Sequence, residues 1–111
     1  MRAAILAKNG DPRDAAILSV QDGVPMPVPS AGEVLVKVHA AAVNPIDYKL
    51  CNAAVPGKKS GRVGFDVAGT VVLLGPGNEG SSLKVGDAVF GDAAKTQGSF
   101  AEYMVVQAQV Q

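Results

Sequence analysis

The sequence predicts a mainly β domain, a compact barrel or sandwich with one short helix near residues 45–51. Three observations carry this expectation. Thirteen glycines and seven prolines cut 111 residues into short pieces, as in chains of strands joined by tight turns. The stretch "EVLVKVHAAAV" (33–43) alternates with the period of a strand. Directly after it, "NPIDYKLCN" (44–52) opens with the residues that start a helix.

Taken in order, residues 2–7 read as a first strand and 15–20 as a second. "VPMPVPSAGE" then alternates proline from Pro25 to Pro29. Fixed φ and missing N–H donors keep such a segment extended and outside any ladder. In 33–43, Val34, Val36, Val38 and Ala40 fall on one face, and Glu33, Leu35, Lys37 and His39 on the other. Asn44 suits the N-cap, Pro45 the first helical position, and Asp47 the first turn, where the helix dipole favours an anion. About two turns later, "AAVPGKKSGR" dissolves into loop. "FDVAGTVVLLG" (65–75) is a second long strand bending at Gly69, "LKVGDAVFG" (83–91) a turn plus strand, and "GSFAEYMVV" (98–106) a closing strand. No internal repeat or low-complexity tract is present.

Gly75, Gly77 and Gly80 match G-x-G-x-x-G, the pattern that cradles a dinucleotide pyrophosphate. A working fingerprint needs a helix after the glycines, because the helix N-terminus faces the pyrophosphate. Here "SSLKVGDAVFG" has no helical period, and Pro76 separates the first two glycines. No acidic residue ends a second strand about 20 positions on, where a ribose-binding carboxylate would stand. The triplet reads as a surface turn.

Composition narrows the function classes. Ten basic and ten acidic residues balance, so no net field attracts nucleic acid or an anionic membrane. Lys58, Lys59 and Arg62 form one small basic cluster, expected to be a solvated loop. The longest apolar stretch, around Val67 to Leu74, falls short of the roughly 18 residues that span a bilayer. Nothing near Met1 resembles a signal peptide. Cys51 is the only cysteine, so neither an internal disulfide nor a cysteine-rich zinc site can form. The expected location is the cytoplasm or an organelle interior.

Three segments together carry a resemblance. "GEVLVKVHAAAVNPIDYKL", "GFDVAGTVVLLGPG" with "LKVGDAVFG", and "GSFAEYMVV" occur in the order and spacing of medium-chain dehydrogenases/reductases. Within that superfamily the chain resembles the zinc-free quinone oxidoreductase and enone or enoyl reductase branch. The resemblance implies that 1–111 is a GroES-like N-terminal catalytic domain, an irregular β-barrel. It further implies a Rossmann domain, absent from these residues, with NADPH or NADH bound in the cleft between the two. On this basis the 111-residue chain alone is expected to hold no nicotinamide cofactor and to be inactive.

Zinc-dependent relatives place a cysteine where this sequence has Asn44, and a histidine and a glutamate where it has Phe65 and Asp66. Zinc needs thiolate, imidazole or carboxylate donors, and the four-cysteine lobe of those relatives is absent between Gly91 and Gly98. No metal is expected, and Asp66 should be a buried, hydrogen-bonded carboxylate. What the resemblance retains is the polar N-P-x-D/E segment of the cleft. By position, Asn44 would face the nicotinamide–ribose region of the cofactor. Tyr48 and Lys49 would point toward the substrate and act catalytically. Hydride arriving at the β-carbon of an enone puts negative charge on the carbonyl oxygen, and a donor aimed there stabilises the enolate.

Plainer roles stay open for each residue. Asn44 caps a helix on any reading, Lys49 can be a solvated helix lysine, and Tyr48 can be packing. His39 is expected to be half-exposed and ordinary, and Cys51 an inert thiol at the helix end. The alternative function is a non-catalytic binding or assembly subunit derived from the reductase fold; a third is that a separate chain supplies the Rossmann half. In each case the cleft face, Asn44 to Lys49 and part of the last strand, would meet that domain, another protein or a second copy.

Overall fold

The valine-rich strand β3 (Glu33–Ala42) organises the molecule, pairing on both edges. In the computed structural model, which describes residues 1–58, 60–77 and 82–108, it lies between β5 (Asp66–Leu74) and β7 (Tyr103–Gln107). The edge strand β6 (Ala88–Asp92) completes a four-stranded antiparallel sheet in the order β6-β5-β3-β7. A second sheet has β1 (Ala3–Leu6) between β2 (Leu18–Gln21) and the two-residue β4 (Gly61–Arg62). The one helix among the described residues is α1 (Pro45–Cys51). It is far too short to cross a membrane.

The two sheets do not close into one continuous ladder, which is the irregularity of this barrel. Segment 100–102 stitches them together. An isolated bridge joins Ala3 to Ala101, Ala4 N donates to Phe100 O at 2.8 Å, and Val38 N donates to Glu102 O at 2.9 Å. Two apolar clusters result. Val34, Val36, Val67, Val71, Met104 and Ala108 fill one. Leu6, Ile17, Cys51 and Val63 fill the other, with Phe100 packed against them. Each fully buried valine or leucine is worth roughly 1.5–3 kcal/mol.

The expected alternation of β3 holds for Val34 and Val36, both fully buried, but Leu35 on the opposite face is buried too. Two bulges break the strict period of two. Leu35 pairs with Leu73 but Val36 with Val71, and Val38 pairs with Gly69 but Ala40 with Ala68. The second bulge sets His39 out of register beside Gly69, where the sequence predicts a bend. Glycine is required there because a Cβ would collide with the carbonyl oxygen of Lys37. His39 is exposed, with Nε2 2.9 Å from Thr70 Oγ1.

Other boundaries move for local reasons. The second strand starts at Leu18 rather than Ala15, because Asp14 organises a turn through 14–18. Its Oδ1 accepts from Ala16 N, and its carbonyl from Ile17 N and Leu18 N. Strand β4 was expected as loop; two residues carry no periodicity, and only pairing with Ile5 and Leu6 defines it. The basic cluster is also less solvated than expected. Lys58 and Arg62 are half-buried, Arg62 within β4, and desolvation lowers the pKa of the Lys58 ammonium; Lys59 lies outside the described residues. In the glycine turn, Gly75 packs against the backbone of Ser30 and Glu33, where a Cβ would collide with Ser30 O. Gly77 adopts φ +79. Gly80 lies outside the described residues, and the described chain from 82 to 87 is turn and bend.

Candidate functional site

The site grows from the junction of β3 and α1. Asn44 has extended dihedrals (φ −125, ψ 160), and Pro45 occupies the first turn. Asp47 Oδ2 accepts from Asn44 N at 2.7 Å, while Asp47 N donates to Asn44 O at 3.0 Å. This reciprocal closure is what the N-P-x-D order is built to make. Asp47, Leu50 and Cys51 turn inward, the i, i+3, i+4 stripe that a two-turn helix can bury.

Asn44 reaches in the other direction. Its Nδ2 donates to Asp66 Oδ2 at 2.9 Å, tying the helix start to the start of β5 across 22 residues. A carboxylate can only accept, so Asp66 fixes the amide with its NH2 group inward. The second N–H of that group has no partner among the described residues. Asp66 is half-buried rather than fully buried, but hydrogen-bonded as expected.

Beside this pair sits a carboxyl under electrostatic stress. Asp47 is only 6% exposed. Its Oδ1 is buried with no hydrogen-bond partner among the described residues. Burial pushes its pKa up; the Asn44 N–H pulls it back, and the charge of Asp66 pushes it up again. Cys51, 2% exposed, is likewise pushed up by burial first and by Asp47 second, which suppresses thiolate. Among the described residues no three His, Cys, Asp or Glu side chains are grouped so as to hold a metal ion.

Asn44, Tyr48 and Asn52 fall four residues apart and so lie along one side of the helix. Tyr48 is 49% exposed and lines an open hollow of about 660 Å³ together with Gly10, Asp11, Pro12, Arg13 and Asn52. Lys49 is exposed, outside that lining, and its side chain has no hydrogen-bond or ion-pair partner among the described residues. The structure therefore joins Asn44 to Asp66, sets Tyr48 on the hollow, and leaves Lys49 on the adjacent exposed side.

The opposite wall of the hollow has no sequence signal near the helix. Asn9 Nδ2 donates to Leu50 O, Cys51 O and Lys58 O at 3.1, 3.2 and 2.8 Å, and Gly10 N donates to Cys51 O at 2.8 Å. The bonds to Leu50 and Cys51 satisfy carbonyls at the helix end, and together with the bond to Lys58 they clamp the 9–13 loop beside Tyr48. Asn9 and Leu50 are 41 residues apart, so only the folded chain shows the arrangement.

Comparison with known proteins fits this geometry. Residues 30–111 match the family model described as the alcohol dehydrogenase GroES-like domain. A trans-enoyl reductase of Penicillium sp. is 38% identical over 99% of this chain and 30% of its own length. A mycobacterial protein solved in complex with NADPH superposes with a TM-score of 0.82 at 33% identity, over 97% of this chain and 32% of that one. A quinone oxidoreductase from Coxiella burnetii gives 0.80 at 32% identity, over 96% and 34%. The chain spans about a third of the length of these relatives. With residues 30–111 matching that model and its helix opened by N-P-x-D, the chain belongs to the alcohol dehydrogenase GroES-like domain family of the medium-chain dehydrogenase/reductase superfamily.

Proposed function

We propose that residues 1–111 form the catalytic domain of an NADPH- or NADH-dependent reductase of enones, quinones or enoyl thioesters. The observation that carries this reading is the Asn44–Asp66 bond beside a helix that sets Tyr48 on an open hollow. Relatives described as trans-enoyl reductases and quinone oxidoreductases support it. The residues present fit a nicotinamide cofactor at Asn44. One amide N–H is held by Asp66, and the other can donate to a ribose hydroxyl or a carboxamide oxygen. Bound there, the cofactor would supply hydride.

The chain's own residues supply the rest. Tyr48 O–H and Lys49 Nζ are donors available to a substrate carbonyl, because neither is engaged by another described side chain. A donor on that oxygen stabilises the negative charge that develops when the β-carbon accepts hydride. Asp66 fixes the Asn44 amide, and Asp47 fixes the backbone around it. No metal enters this chemistry, since the matching positions offer an amide, a phenyl ring and one carboxylate.

The same reading assigns a partner. Along the sheet, Ala40, Ala68 and Phe90 share one row, and Ala42, Asp66 and Asp92 the row two residues on, which faces the same way. Phe90 on this face is 91% exposed. This face is suited to cover by a second, cofactor-binding domain, and interfaces of that kind bury about 600–1,500 Å². Without such a domain the chain should neither hold the cofactor tightly nor turn over.

The test replaces the matched segment of the NADPH-binding mycobacterial relative with residues 1–111. In that chimera Tyr48→Phe and Lys49→Ala should lower kcat more than they weaken NADPH binding. Unchanged kcat in both variants removes these two side chains from the mechanism.

A further inference from the structure

The hollow beside Tyr48 has an order of its own. The 9–13 loop that forms its far wall is clamped to the helix end by Asn9 and Gly10. Within it, Arg13 is held by a single carboxylate. Asp11 accepts from Arg13 N at 2.9 Å, from Nε at 3.1 and 3.2 Å, and from Nη2 at 2.9 Å. This pairing occupies one edge of the guanidinium. Both N–H groups of Nη1 and one of Nη2 are left without a partner among the described residues. On the helix side, Asn52 Oδ1 accepts from Ala54 N at 3.0 Å, so its NH2 group is the part left to bind a ligand. Tyr48 adds a hydroxyl.

The acceptors around the hollow are largely used. Asp11, the carboxylate among its lining residues, is committed to Arg13. What remains is a surplus of donors from three side chains, one a guanidinium fork whose free edge faces away from its own counter-ion. Carboxylates and phosphates pair with such a fork through two parallel hydrogen bonds.

We propose that this hollow binds an oxyanion, a carboxylate or phosphate at the non-reacting end of the substrate, through Arg13, Asn52 and Tyr48. The assignment to substrate rests on the reductase reading above; the oxyanion site itself does not. Its position explains why a long loop is fastened to the helix that carries Tyr48. An anchor there places the rest of an extended substrate along the Asn44–Tyr48 side of the helix.

The test is an amide NMR titration of the 111-residue chain at fixed ionic strength, with inorganic phosphate in one arm and butyrate in the other. Saturable shifts at Gly10, Arg13 and Asn52 in either arm support the site, and the arm that saturates identifies the group. Arg13→Gln should weaken that binding about tenfold or more, and Arg13→Lys, which keeps charge without the fork, by less. Lys49→Ala should leave it unchanged. Arg13 is exposed, and a dispersed spectrum of each variant verifies its fold. Absence of saturation in both arms, or equal shifts around Lys58 and Arg62, overturns the site. Saturation together with a folded but inactive chimera keeps the site and removes its assignment to substrate.

Discussion

Asn44 Nδ2 and Asp66 Oδ2 lie 2.9 Å apart, and through them the start of the helix is fastened to the start of β5. If this contact positions the amide, the two side chains should be energetically coupled. A double-mutant cycle of Asn44→Ala and Asp66→Ala, read by urea unfolding, should give a coupling of about 1 kcal/mol. Strict additivity would show that the contact contributes nothing.

Asp47 should make stability depend on pH. Its folded pKa is raised, by burial first and by Asp66 as well, so the folded state binds its proton more readily than the unfolded chain. Stability therefore falls as pH rises from the ordinary Asp value of about 3.9 through the higher folded value, and the penalty persists at neutral pH. Asp47→Asn keeps an oxygen for the Asn44 N–H and removes the charge. The variant should be the more stable protein at pH 7, with the difference closing in acid. A pH-independent difference would contradict the assignment.

Gly69→Ala should cost about 1–3 kcal/mol or more, because the added methyl collides with Lys37 O and with Val36 Cγ1. Gly91→Ala, on the edge strand where a Cβ meets nothing within 4 Å, should cost much less. Equal midpoints in denaturant would show that the β3–β5 approach at the bulge is not tight.

Cys51 should behave as a reporter of unfolding. Its thiol is buried and its pKa is raised, so an aromatic disulfide reagent should label it only as fast as the chain opens. Labelling that is immediate under native conditions would contradict this burial.

Much of this arrangement is legible in sequence because it is local. Asn44, Pro45 and Asp47 specify a helix start within four residues, and the helix begins at Pro45. The two long strands are legible because valine alternation is a period-two signal. What escapes is set by distance or brevity. Strand β4 is two residues long, and the Asn9 clamp joins positions 41 apart. Leu35 shows the limit of alternation: bulges at Val72 and His39 interrupt the register that the pattern assumes. The Asn44–Asp66 pair is intermediate, with both residues marked by resemblance and their contact visible only in the fold.

Whether residues 1–111 can complete a reductase is decided by NADPH oxidation in the chimera in which they replace the matched segment of the mycobacterial relative. Turnover is expected with an enone, quinone or enoyl thioester acceptor, and none with the 111-residue chain alone. A folded chimera that binds NADPH yet reduces none of these acceptors would contradict it.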